Sequence, residues 1–253
     1  MRLKDRIALV TGSSRGIGAG IARRLAADGA KVVLHASKSA EVVEGVAADI
    51  RAAGGSVDIV LGELTDAEAA GQVVRDAFAI HGALDILVCN AGAPMSGPIG
   101  DLDAAAIDRH LALNLRAVML QVIEFSRLTR SEHGRVVLIS SASAAHPVGN
   151  AALYSASKAG AEAFIRSAAQ ELGARGITLN SVQPGLTVTR ELPDPSIADK
   201  VAHWTALGRP GAPADIADIV AFLASDEARW LTGATLPATG GQITSATTII
   251  AKG

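Results

Sequence analysis

The sequence predicts an α/β fold, one doubly wound parallel sheet with helices on both faces. Two observations carry this. Short apolar runs of strand length alternate with longer, alanine-rich helical patterns along most of the chain. Such alternation gives parallel strands joined by helices that cover the sheet. The first run also ends in Gly12-Ser13-Ser14-Arg15-Gly16-Ile17-Gly18, and a helical pattern follows. Strand, glycine turn and helix in that order bring bare backbone N–H groups and a positive helix end to one point, which suits a phosphate. The turn has the spacing G-x-x-x-G-x-G. Its other reading is a tight strand-to-helix connection.

The elements follow in order. Arg6 to Thr11 is the first strand, Lys31 to His35 the second, and Ser56 to Leu61 the third. Helical patterns cover Glu41 to Ala53, closed by Gly54-Gly55, and Asp66 to Ile80, with Thr65 as its expected N-cap. Leu84 to Cys89 is the fourth strand and Gly134 to Ser140 the fifth. Between them one long helical pattern runs from Asp103 to Arg130. Ala151 to Ala174 is a further helix, and Ile177 to Val182 a sixth strand stopped by Pro184-Gly185. The region from 186 to 213 breaks the pattern with prolines 193, 195, 210 and 213. It is expected to form a substrate lid around a short helix near Ile197 to Leu207. Pro213 to Ala224 is helical, Ala234 to Pro237 a last strand, and Thr244 to Gly253 a tail.

The 253 residues are expected to form a single dinucleotide-binding and catalytic domain. A formal net charge of −2, with no lysine/arginine block, gives no electrostatic case for nucleic acid or an anionic membrane surface. Cys89 is the only cysteine, so no internal disulfide can form, which fits a reducing cytoplasm. The N-terminus reads as a first strand rather than a signal peptide, and no apolar stretch approaches the roughly 20 residues of a membrane-spanning helix. The expected location is cytoplasmic. No metal is expected.

Chemistry concentrates at Asn150 to Gly160. This stretch holds the only tyrosine, Tyr154, with Lys158 four residues on. On a helix that spacing puts both on one face. A phenol titrates near a pKa of about 10, and a close cation lowers that value. The pair therefore suits acid/base work; its alternative is a half-buried helical tyrosine beside a solvated lysine. Gly12, Asn90, Ser141 and Gly185 all fall at C-terminal strand ends, where ligands sit in such sheets.

Together these residues resemble the short-chain dehydrogenase/reductase family, from Arg6 to about Gly241. Thr11-Gly12-x-x-x-Gly16-Ile17-Gly18 is similar to its cofactor turn, and Asn90-Ala91-Gly92 to its NAG motif. Asn114, Ser141, Tyr154 and Lys158 match its catalytic tetrad, and Pro184-Gly185 with Thr189 its nicotinamide-carboxamide segment. The chain departs from the pattern at Cys89, at Glu63 where an aspartate is usual, and at Thr239.

The resemblance implies a Rossmann-like fold and a homotetramer whose main interface is made by the helices from Asp103 and Ala151. It implies hydride transfer between nicotinamide and a carbonyl or secondary alcohol. Ser141 would hold the substrate oxygen, Tyr154 would exchange its proton, and Lys158 would bind the nicotinamide ribose and, with the charge of the oxidised nicotinamide ring, lower the tyrosine pKa. Asn114 would anchor a water chain to the lysine. Beyond the turn residues Gly12, Ser14, Arg15, Gly16, Ile17 and Gly18, the dinucleotide would meet Ser37, Lys38, Glu63, Leu64, Asn90, Ala91 and Gly92. At its nicotinamide end it would meet Tyr154, Lys158, Pro184, Gly185, Thr187 and Thr189.

NADP(H) is expected over NAD(H). The acid that would repel a 2′-phosphate is replaced by Ala36, and Arg15 and Lys38 offer cations. Ala93 to Gly97, Ala142 to His146, Leu186, Leu192 and Trp204 are expected to line an uncharged substrate pocket. Similarity to 3-oxoacyl-carrier-protein reductases makes that reaction one alternative; Arg175 then reads as a docking residue for an acidic carrier or, preferred on its position, as a solvated helix-end charge. A non-catalytic nucleotide sensor or a structural subunit on the same fold are others.

Overall fold

A computed structural model describes residues 1–94, 97–189 and 196–242, without the side chains of 196–198. The expected Leu192, the prolines 193 and 195, and the tail from 244 lie outside the described residues. Seven strands form one sheet: β1 (Ile7–Val10), β2 (Lys31–Ala36), β3 (Val57–Leu61), β4 (Ile86–Cys89), β5 (Arg135–Ile139), β6 (Thr178–Pro184) and β7 (Thr235–Ala238). Their order is β3-β2-β1-β4-β5-β6-β7, and every pairing is parallel. The chain winds outward from β1 to β3, returns to lay β4 beside β1, and winds outward the other way. A crevice opens at that reversal, beyond the C-terminal ends of β1 and β4.

The helices are α1 (Gly16–Ala27), α2 (Glu41–Ala52), α3 (Ala67–His81), α4 (Ala104–Leu111), α5 (Ala117–Leu128), α6 (Ala142–Ala145), α7 (Ala152–Leu172), α8 (Ser196–Trp204) and α9 (Pro213–Ala224). Strand residues alternate between two apolar layers, as a period of two requires. Ala8 and Val10 pack with Ile21 of α1, Val46 of α2 and Val220 of α9. Ile7 and Leu9 pack with Val73 of α3, Val122 of α5 and Ile165 of α7. No helix among the described residues is long and apolar enough to cross a membrane.

Two local expectations are corrected. The N-cap of α3 is Asp66, whose carboxylate accepts from Ala69 N, while Thr65 turns back to Glu63. Both residues are good caps, and the chain direction at this turn selects the second. The long helix from Asp103 is interrupted. Residues Ala112–Arg116 form a π turn in which Ala117 N–H reaches Ala112 O. Such turns insert one residue into a helix and gather at functional sites.

The region after β6 is pinned at two places. Gly211 exchanges backbone hydrogen bonds with Leu186 and Val188, and Ala206 and Leu207 donate to Gly241 and Gly240. Both pins hold it against the C-terminal ends of β6 and β7.

Candidate active site

A cavity of about 730 Å³ runs along the crevice from the glycine turn to α7. At its first end the walls are backbone. Asn90 donates through its amide to Thr11 O (2.8 Å) and Gly12 O (3.1 Å), tying the end of β1 to the end of β4. Thr11 Oγ1 accepts from the N–H groups of Asn90 and Ala91, both at 3.1 Å. Gly18 packs against this clamp so closely that a Cβ there would lie 2.4 Å from Gly12 O. Helix α1 begins at Gly16 with no acidic residue in its first turn and no side-chain cap. Its first N–H groups and dipole are therefore available to an anion.

His35, at the end of β2, braces this turn from below. Its Nδ1 accepts from Gly12 N–H at 3.0 Å, and Nε2 lies 2.9 Å from Gly62 O, so the proton is on Nε2. Burial holds its pKa below the usual imidazole range.

The other end is built from side chains. Ser141 caps α6; its Oγ accepts from Ser143 N (3.2 Å) and Ser143 Oγ (2.9 Å). With those two bonds in place, the Ser141 proton is left to point away from Ser143. Tyr154, on α7, is in hydrogen-bond reach of Ser141. Lys158 Nζ lies 6.0 Å from the Tyr154 ring centre and donates to Ile139 O at 2.9 Å. Asn114 sits in the π turn. Its Oδ1 accepts from Ala93 N and its Nδ2 donates to Ala93 O, both at 3.0 Å, and Nδ2 also lies 2.7 Å from His110 Nε2. Gly92 lies between the two groups: a Cβ there would be 2.9 Å from Asn114 Oδ1 and 3.2 Å from Lys158 Nζ.

Opposing effects act on the two titrating groups. Burial pushes the Tyr154 phenol above its usual range, opposed by the Ser141 hydrogen bond. The cation expected to lower it is itself penalised: burial brings Lys158 down to about 8. Cys89, whose thiol burial pushes up to about 12, is uncharged at neutral pH and gives Lys158 no support. The carboxylate that does support it is Glu162, buried and accepting from Gln183 Nε2 at 2.8 Å.

The residues expected to meet the cofactor or the reacting atoms line this cavity, except Asn114 and Lys38. Of the described residues expected around the substrate, Pro94 lines it, whereas Ala93, Gly97, Ala142 to His146, Leu186 and Trp204 do not. Asn114 stands behind Gly92, and its amide is committed to Ala93 and His110. Lys38 is exposed beyond the end of β2. Glu63 lines the cavity but bends its carboxylate back to Thr65 N and Oγ1. His146 is exposed. Arg175 is exposed and donates to Ser126 O and Thr129 O at the end of α5, a helix-end position like the one preferred from sequence. Sequence reasoning missed His35, Ser143 and His110. The spacing His110–Asn114, four residues on one helix face, was the one available signal.

Residues 12–242 match a family model described as enoyl-(acyl carrier protein) reductase. Versicolorin reductase 1 of Aspergillus parasiticus is 37% identical over 255 residues, covering 95% of this chain and 97% of that protein. A short-chain dehydrogenase/reductase from Serratia marcescens superposes with a TM-score of 0.89 at 39% identity, covering 95% of this chain and 99% of that one. The chain belongs to the short-chain dehydrogenase/reductase family. The angucycline C-6 ketoreductase LanV, solved with bound NADP, superposes with a TM-score of 0.90 at 34% identity, covering 96% and 98%. As a short-chain dehydrogenase/reductase the chain is an oxidoreductase. Its departures from the family pattern leave the tetrad intact. Cys89 is a buried neutral thiol, and Thr239 backs Gly185, where a Cβ would lie 3.0 Å from Thr239 Cα.

Proposed function

We propose that this enzyme transfers a hydride between NADP(H) and a carbonyl or secondary alcohol, with Tyr154 as acid/base. The observation that carries the reading is that Ser141, Tyr154 and Lys158 share one cavity with the glycine turn. The residues fit a dinucleotide: Gly18 leaves backbone room, α1 opens without an acid, and Ala36 ends β2 where a carboxylate would repel a 2′-phosphate. Arg15 and Ser37 line that end. LanV and a Burkholderia cenocepacia relative, both solved with NADP, support the choice.

Bound nicotinamide would supply or accept the hydride. The chain's own residues manage the proton. Ser141, its acceptor sites engaged by Ser143, turns its hydroxyl proton to the substrate oxygen. Tyr154 gives that oxygen a proton in reduction and removes one in oxidation. Burial and the Ser141 hydrogen bond act on that phenol in opposite directions. Lys158 presents its charge to the ribose and to Tyr154. Asn114 fixes the turn at Ala93, and the region from 186 to 213 acts as the lid.

The rim favours an apolar substrate skeleton. Ile99, Val148, Leu186 and Leu207 are exposed on the loops that follow β4, β5 and β6. The description of LanV as an angucycline C-6 ketoreductase supports a ketone substrate. The family model's description favours a second reading, an acyl carrier protein thioester. We also infer a homotetramer with α4, α5 and α7 at its main interface.

The test is dinucleotide oxidation over a panel of cyclic ketones, diketones and 3-oxoacyl thioesters. Turnover of apolar ketones with NADPH is expected. Preference for carrier thioesters selects the second reading. A lack of turnover across the whole panel returns the chain to a nucleotide sensor.

A further inference from the structure

Asn114 has a fixed orientation. Ala93 N–H is only a donor, so the amide atom facing it is Oδ1, and Ala93 O faces Nδ2. The second Nδ2 proton then points at His110 Nε2, 2.7 Å away. That nitrogen has to accept, so the imidazole proton sits on Nδ1. We propose that His110 is a positioning residue: as a neutral Nδ1–H imidazole it locks Asn114, and through Asn114 the Gly92–Ala93 turn beside Tyr154 and Lys158. This rests on the reading of those two residues as the acid/base pair.

A proton on His110 Nε2 would set N–H against N–H. Turning the amide over would relieve that clash but put Nδ2 against Ala93 N–H and Oδ1 against Ala93 O. Neither orientation satisfies all the partners, so the amide leaves its place, at the cost of buried hydrogen bonds. Two neighbours register the change. Gly92 touches both Asn114 and Lys158, and the His110 ring stands edge-on to Tyr154 with centroids 6.0 Å apart at 73°.

The surroundings favour the neutral ring. His110 is buried on α4. The groups facing it are Lys158 and Tyr154 from α7 and the uncharged Asn114 from the π turn. Its chain neighbours Asp108 and Arg109 are exposed. Burial first, and the Lys158 charge second, hold the His110 pKa below its usual value.

The experiment has two arms. In the first, ¹⁵N-histidine NMR of the whole protein is compared with His110→Gln, which removes one histidine signal set and so assigns it. The expected signal is a neutral Nδ1–H tautomer at pH 7.5 that persists below the usual imidazole pKa of about 6.5. An Nε2–H tautomer, or imidazolium at pH 7.5, would overturn the proposal whatever the enzyme turns over.

The second arm is kcat against pH at saturating NADPH. Wild type is expected to lose kcat on the acid side. His110→Gln, with an oxygen that accepts and does not titrate, is expected to keep kcat at pH 7.5 within about threefold and to lose that acid limb. His110→Leu is expected to lower kcat about tenfold, with KM for NADPH unchanged, the rate equivalent of one hydrogen bond. His35 titrates under the glycine turn and would move KM for NADPH instead, which separates the two histidines. A leucine variant with normal kcat, or a glutamine variant with the wild-type acid limb, rejects the positioning role. If no turnover is found for any variant, the functional reading fails while the tautomer arm still decides this one.

Discussion

At the β1–β4 end of the crevice the ligand-facing surface is main chain; at the β5–α7 end it is buried side chains. Each end is braced by a histidine, and the two carry opposite tautomers. His35 accepts at Nδ1 from a backbone N–H, whereas the orientation of Asn114 makes His110 accept at Nε2. The first brace holds a glycine turn that any sequence with the right glycines forms. The second holds an amide whose place depends on two elements meeting. Adding a Cβ should therefore harm the first end most, and removing a polar atom the second.

Two substitutions break that contrast most sharply. Tyr154→Phe removes one hydroxyl from the chemical end. Turnover is expected to fall by about 10³-fold, within the range for a lost acid/base, with NADPH affinity little changed. Gly18→Ala is the mirror case, because its Cβ would collide with Gly12 O and the Asn90 amide, neither the far end of a flexible chain. It is expected to raise KM for NADPH about tenfold while sparing kcat, from an overpacking cost of about 1–3 kcal/mol. Steady-state kinetics on both variants decide it. If Tyr154→Phe mainly raises KM, or Gly18→Ala mainly lowers kcat, the two ends do not divide the work.

The same contrast explains what was legible in the sequence. Strand and helix periodicity gave the sheet, because alternation of apolar residues is a local property of the chain. The glycine turn was legible for the same reason, since Gly12, Gly16 and Gly18 lie within seven residues of one another. The π turn was not. An α-helix and a π turn present one hydrophobic pattern; the difference lies in the Ala117 N–H reaching Ala112 O, and the Asn114 side chain in that turn pairs with Ala93, 21 residues away. His35 read as an ordinary strand residue, because its partners Gly12 and Gly62 come from other elements. The burial of Tyr154, which acts against the expected lowering of its pKa, was not legible either, because spacing reveals a nearby cation but not burial.

Cofactor preference sharpens the comparison, since it is the one property of the backbone-built end that side chains decide. Arg15 lines the cavity and Lys38 does not, although both are exposed. Arg15→Ala with Lys38→Ala is expected to reduce the preference for NADPH over NADH by roughly 10–150-fold, the range for a charge-assisted contact of about 1.5–3 kcal/mol. Arg15→Ala alone is expected to account for most of it. Ratios of kcat/KM for the two dinucleotides test this. Equal use of both by the wild-type enzyme would remove the preference, and a larger effect from Lys38→Ala would move the 2′-phosphate contact off the glycine turn.

The smallest effect concerns the stability cost of the chemical end. Lys158 is 4% exposed, and burial brings its pKa from 10.5 to about 8 in the folded protein. The folded-state value is depressed, so between about pH 8 and 10.5 the unfolded chain binds more protons and stability rises with pH. Below pH 8 both states carry the proton, and the full burial cost of about 3 kcal/mol is present. Lys158→Met removes that cost and leaves Ile139 O without its donor, a loss of about 1 kcal/mol. The variant is therefore expected to be more stable than wild type at pH 7 by about 2 kcal/mol, while losing its chemistry. The advantage should shrink above about pH 8, where the folded wild type loses the lysine proton, and reverse towards pH 10.5, where the unfolded chain begins to lose it too. Denaturant unfolding of the dinucleotide-free proteins at pH 7 and pH 10 measures both points. A variant that is less stable by the same amount at each pH would mean that the buried ammonium is already fully compensated by Glu162 and the Ile139 carbonyl. In that case the chemical end would be as well satisfied as the glycine turn, and the contrast between them would be one of construction alone.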